Sequence, residues 1–132
     1  MFKLIALTFA LVLALACGGS GLGGGSNTGN PFAGTWLGPF TIAPAENGTV
    51  NMTVSSTTGT VTGTGHNNTQ NFDFQVTGTL DNGGNIQGTI SGGTAGTLSG
   101  TLAIAQDGHL KGTVIQTQGA NTISLNFDLV KQ

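Results

Sequence analysis

The groups able to move a proton or ligate a metal are few in this chain: His66, His109, Glu46, Asp73, Asp81, Asp107, Asp128 and one thiol, Cys17. There is no His-x-His and no pair of histidines at helical spacing, so a zinc or iron centre lacks ligands and no metal is expected. Asp107 stands two residues before His109 and could orient its imidazole. A Ser-His-Asp device, however, needs a nucleophile positioned by the fold, and spacing alone supplies none. Within Gln106-Asp107-Gly108 the aspartate reads more simply as a turn residue. Asp73 and Asp128 alternate with apolar neighbours and should face water, whereas a carboxylate pair for glycosidic chemistry has to meet in a pocket. Neither a P-loop nor a dinucleotide fingerprint occurs. Catalysis is therefore the least favoured function, and no cofactor is expected.

Charge narrows the classes further. Eight of 132 side chains are ionic, three Lys and five acids, against 24 Gly, 21 Thr and 11 Asn. Nucleic-acid binding requires a basic patch, and three scattered lysines do not make one. Charge-driven disorder is excluded too, because 37% of residues are hydrophobic and the net charge is only −2.

Cys17 closes an apolar run, residues 4–16, that follows Lys3. This is the layout of a secretory signal. At about 1.5 Å per residue the run spans roughly 20 Å, too short for the roughly 30 Å core of a bilayer. Leu13-Ala14-Leu15-Ala16-Cys17 resembles the bacterial lipobox, with the aliphatic and small positions before Ala16 inverted. The resemblance implies a cysteine that is lipidated and becomes the new N-terminus, held in a membrane by its acyl chains. Gly18 is not the acidic residue that marks inner-membrane retention in that family, which implies the outer membrane or cell surface. As the only cysteine, Cys17 can form no internal disulfide. Residues 18–31 contain seven Gly and read as a flexible tether. The expected division is 1–16 signal peptide, 17–31 lipidated cysteine and linker, and 32–132 folded domain. Without the signal the charge is −3, so attachment would rest on lipid and not on electrostatics.

Beyond Phe32 apolar and polar residues alternate in eight short runs, from Trp36, Phe40 and Ile42 to Ile123, Leu125, Phe127 and Leu129. They are separated by turn chemistry such as Ala45-Glu46-Asn47-Gly48 and Asp81-Asn82-Gly83-Gly84. Period-two patterning with short links predicts an all-β fold, a small eight-stranded antiparallel up-and-down barrel in meander order. The runs suggest strands of about 5–8 residues, less than the about 9–11 a membrane-spanning barrel needs. A motif, apolar-x-Gly-Thr-apolar, recurs at 32–36, 76–80, 86–90, 98–102 and 110–114. Period-two geometry places its Gly78, Gly88, Gly100 and Gly112, and likewise Gly63 in the run that starts at Val61, on the apolar face and threonines on the other. Inward glycines either let strands bend and close or leave room for a ligand; bending is favoured. Charge is too scarce to guard two sheet edges, which also argues for closure. Closure brings Lys131, at the end of the last strand, beside Trp36, at the start of the first, where a cation can lie over the indole. The threonine-rich outside of such a barrel is too curved to match a planar lattice such as ice.

Phe32-Ala33-Gly34-Thr35-Trp36 is similar to the Gly-x-Trp signature of the lipocalin, fatty-acid-binding-protein and avidin superfamily. That likeness implies an up-and-down barrel in which Lys131 takes the place of the arginine that packs on the tryptophan. With one Trp and no Tyr, biotin binding is not implied. Two functions compete ahead of catalysis. One is a lipid-anchored envelope barrel acting as an interaction or structural module, its interior filled by Phe40, Phe72, Phe74 and Phe127. The other is a lipocalin-like carrier of a small apolar ligand. The membrane is the one partner implied; a protein or small-molecule partner is not.

Overall fold

A computed structural model of the chain describes residues 29–93 and 95–132. Cys17 and the expected signal and tether up to residue 28 lie outside the described residues. Eight strands follow one another: β1 (Gly34–Ile42), β2 (Glu46–Val54), β3 (Thr60–Asn67), β4 (Phe72–Leu80), β5 (Asn85–Ser91), β6 (Gly96–Ile104), β7 (Leu110–Gln118) and β8 (Asn121–Lys131). Each pairs antiparallel with its sequence neighbours, and β8 pairs with β1, so the sheet is a closed up-and-down barrel. The alternation dictates the two faces. In β4, for example, Phe74, Val76 and Leu80 are buried while Asp73, Gln75, Thr77 and Thr79 are exposed.

Strands are longer than the apolar runs suggest, nine residues in most and eleven in β8. The length argument against a membrane barrel therefore falls. A different observation takes its place: among the described residues only Leu37, Ile104 and Val130 are large exposed hydrophobics, so the outer wall has no apolar band for lipid. The first turn is also shorter than expected. Glu46, Asn47 and Gly48 belong to β2, and only Ala43-Pro44-Ala45 make the turn.

The register carries one threonine per strand around the whole barrel. Thr35 pairs with Thr53, then Thr62, Thr77, Thr89, Thr97, Thr117 and finally Thr122. Hydroxyls meet along this row at 3.2 Å between Thr35 and Thr53 and at 3.1 Å between Thr77 and Thr89. Carried on from Thr122 by the register that matches Trp36 with Lys131, the row returns to β1 at the level of residue 45, ten residues beyond Thr35. A stagger of ten over eight strands sets a tilt of about 40° and a backbone radius of about 8 Å, a width that side chains can fill.

Closure is completed between β1 and β8 by pairs on either side of Gly38-Pro39: Leu37 with Val130, and Phe40 with Phe127. Pro39 has no N–H to give. A Cβ on Gly38 would stand 3.0 Å from the Leu129 Cα, so the bare glycine lets the two backbones close up where the ladder is interrupted.

One continuous core fills the barrel. Toward the end where β1 begins it consists of Trp36, Val54, Val61, Leu80, Ile86, Leu102, Leu110 and Leu129, all at most 2% exposed. Phe32 and Asn30 cover this end. Asn30, which composition assigns to the tether, is buried; its Nδ2 donates to the Leu80 carbonyl at 2.6 Å and its Oδ1 accepts from the Phe32 N–H at 2.8 Å. The packed domain thus takes in Asn30, ahead of the Phe32 boundary drawn from the sequence.

Candidate functional site

The five inward glycines occur at successive offsets that keep them near one level. Gly78 faces Gly88 directly. Gly88 then pairs with Leu98, two residues before Gly100, and Gly100 pairs with Val114, two residues after Gly112. Each step toward the Trp36 end offsets the climb of the staggered rows. The level is a constriction. A Cβ added to Gly78 would lie 2.6 Å from the Gly88 Cα, and one added to Gly100 would lie 2.8 Å from the Val114 Cα. The missing side chains are taken up by close approach of neighbouring backbones.

Space within the barrel is correspondingly small. A void of about 30 Å³ lies under the end opposite Trp36, lined by Phe40, Phe72, Phe74, Ile90, Gln116 and Leu125 among others. That volume is on the scale of one water molecule. Phe40 fills the space beside it, edge-on to Phe74 at 5.6 Å and to Phe127 at 6.4 Å between centroids. A polar latch crosses the mouth: Gln70 Nε2 donates to Glu46 Oε1 at 2.8 Å, and Asn67 Nδ2 donates to Glu46 Oε2 at 3.3 Å. Buried Asn67 also accepts the backbone N–H groups of Thr69 and Gln70, each at 2.9 Å, which ties the β3–β4 turn down over the opening.

At the other end Trp36 is 1% exposed and its indole N–H donates to the Phe32 carbonyl at 2.8 Å. The Lys131 Nζ stands 5.5 Å from the ring centroid.

Both imidazoles sit on the outer wall, and both have carboxylate partners that the sequence reading left as separate solvated groups. His66 and Asp73 face each other across β3 and β4, with Nδ1 and Oδ1 2.7 Å apart. His109 is paired at 2.6 Å with Asp128 of β8, and Asp107 instead accepts the His109 backbone N–H at 3.0 Å and the Lys111 ammonium at 2.7 Å. The Lys111 hydrogen bond, followed by the His109 N–H, holds the Asp107 carboxyl below its ordinary range, and the same bond raises Lys111. Asp81 is lowered as well, chiefly by the Asn85 side-chain amide. The signal for the first pair was present in the sequence: a turn centred between Asn68 and Asn71 puts residues 66 and 73 opposite one another. Among the described residues no three His, Cys, Asp or Glu side chains are arranged to hold a metal ion.

A broad concavity lies outside the barrel. A groove of about 660 Å³ crosses β2 to β4 between Leu37 and Ser91, with the His66–Asp73 pair in its wall, and a second depression of about 490 Å³ adjoins it. Asn51, Thr64 and Gln75 line both. Comparison with protein-family models, with curated proteins and with solved structures gave no match.

Proposed function

We propose that this protein is a lipid-anchored barrel of the bacterial cell envelope, at the outer membrane or cell surface, acting as a non-enzymatic interaction or structural module. The observation that carries the reading is the filled interior. A carrier needs a cavity of about 300 Å³ or more, and the void under the mouth is about 30 Å³, which supports recognition by the outer wall and loops over an apolar ligand held inside. The lipobox-like segment ending at Cys17 supports the anchor, and two or three acyl chains give stable attachment where one does not. The Gly-x-Trp likeness to lipocalins then reflects a shared way of closing a barrel, with Lys131 over Trp36, and not a shared ligand site. Mass spectrometry and palmitate labelling of the wild type and of Cys17→Ser test the anchor. The wild type should carry diacylglycerol on Cys17 and sediment with membranes, and Cys17→Ser should carry none and be released; an unmodified wild-type chain overturns the reading.

A further inference from the structure

The outer groove has a structural cause and a chemical character. Gly63 and Gly65 occupy inward positions of β3 where neighbouring strands carry Val50, Met52, Phe74 and Val76. A Cβ on Gly65 would run into the Phe74 ring, and a Cβ on Gly63 would stand 2.7 Å from the Asn51 carbonyl oxygen. With no side chain of their own at these two positions, Gly63 and Gly65 let β3 lie close over its neighbours, and the wall is dented from outside. Each depression includes one of these glycines, Gly65 in the larger and Gly63 in the smaller. The volume that glycine removes from the interior reappears as a cleft on the surface.

Across this cleft the register lines up Leu37, Asn51, Thr64, Gln75 and Ser91, one outward side chain from each of β1 to β5. Beside that row stand Thr49, His66 and Asp73 in the same order of strands. Carboxamides and hydroxyls both donate and accept, at intervals of about 4.8 Å across the strands. The lining has one carboxylate, whose Oδ1 is already held by His66, and no lysine. A polyanion would find no lysine to pair with, and an apolar anchor from a protein partner would desolvate the amides and hydroxyls with Leu37 as the one exposed apolar side chain, since Val50 and Phe74 line the groove only from its buried floor. A neutral ligand with a dense set of hydroxyls meets neither penalty, because each hydroxyl can replace one of the waters on these amides. The volume of the larger groove falls within the about 300–1,000 Å³ of small-ligand clefts.

We propose that the β2–β4 wall is a binding cleft for neutral oligosaccharides, with Asn51, Gln75 and the His66–Asp73 pair supplying hydrogen bonds and Leu37 supporting the apolar face of a sugar ring. This rests on the reading of the protein as a module that binds through its outer surface. The test is isothermal titration and amide NMR of the mature chain as it is made in the cell, purified from membranes in a detergent without a sugar headgroup. The probes are cellotriose, maltotriose and tri-N-acetylchitotriose, each to about 10 mM, with trigalacturonate as the anionic control. At least one neutral trisaccharide should bind with shifts centred on Asn51, Thr64 and His66, and trigalacturonate should bind at least about tenfold more weakly. Asn51→Ala with Gln75→Ala should weaken binding about tenfold or more, the loss of two hydrogen bonds. Thr101→Ala with Thr113→Ala, on the wall of β6 and β7, should leave it unchanged. No shift with any neutral probe, equal binding of trigalacturonate, or equal loss from the two double variants overturns the assignment. Intact-mass analysis of the same sample reads the Cys17 lipid separately, so a lipidated protein that binds no sugar ends this inference and leaves the anchored module standing.

Discussion

The two ends of the barrel are sealed by opposite means. Around Trp36 the chain itself is the stopper: Asn30 and Phe32 lie over a layer of fully buried Leu, Ile and Val, and the one polar side chain among them spends its amide on the Leu80 carbonyl and the Phe32 N–H. At the far end Ile42 and Phe72 are only partly buried, and a carboxylate and two amides bridge the opening. The same meander produces both. An end that receives the incoming chain gains extra apolar cover from it, whereas an end made only of turns has to be closed by the side chains those turns can offer.

Truncation measures the contrast most directly. Trp36→Ala should cost about 3–5 kcal/mol in denaturant unfolding, while Phe72→Ala, removing a ring already partly in water, should cost about 1–2 kcal/mol. Equal losses would mean that the aromatic mouth is as tightly packed as the Trp36 end. On a smaller scale, Asn30→Ala leaves the buried Leu80 carbonyl and Phe32 N–H without partners and should cost about 1–3 kcal/mol, whereas Gln70→Ala, whose groups face water, should cost less than about 1 kcal/mol. Amide exchange would localise these effects, with faster exchange of Phe32 and Leu80 in the first variant and of the 68–71 turn in the second.

The smallest effect concerns acid. Asp81 and Asp107 both lie in turns at the Trp36 end, and both titrate below the ordinary value of 3.8 because Asn85 and Lys111 hydrogen-bond their charged forms. A carboxyl lowered on folding stabilises the native state fully above its unfolded value and stops doing so as pH falls through its folded value. Below about pH 4 the melting temperature should therefore drop, and Asp107→Asn with Asp81→Asn should flatten that part of the curve. Lys111, raised by the same contact, has the opposite sign: its contribution is complete below 10.5 and is lost as pH rises through its higher folded value.

How far the sequence discloses this molecule depends on how local each signal is. The two faces of β4 follow from the order Phe-Asp-Phe-Gln-Val, because period-two alternation is set by neighbouring residues. Strand count and closure follow from repetition of that local pattern and from scarce charge. Strand ends do not, since Gly34, Thr35, Asn121 and Thr122 carry no apolar signal and are recruited by the ladders of their neighbours. The Asn30 clamp joins residues 50 positions apart, and composition reads its Gly-rich surroundings as linker. The outer groove was hidden for another reason: inward glycines invite the question of a hole inside, and the answer, a dent outside, requires knowing that Phe74 occupies the space beneath Gly65.

The Asn30 clamp and the double pairing of β1 also govern how the barrel bears a pull on its N-terminus. Force applied at residue 29 reaches first the bonds from Asn30 to Ser56, Leu80 and Phe32, then a strand held along its length by β2 on one side and β8 on the other. Both ladders lie parallel to a load drawn along β1, so their hydrogen bonds must slide and break together and cannot open one after another. The weak link under such a load is Gly38-Pro39, where only the β2 side is bonded and the strand hangs from a single neighbour.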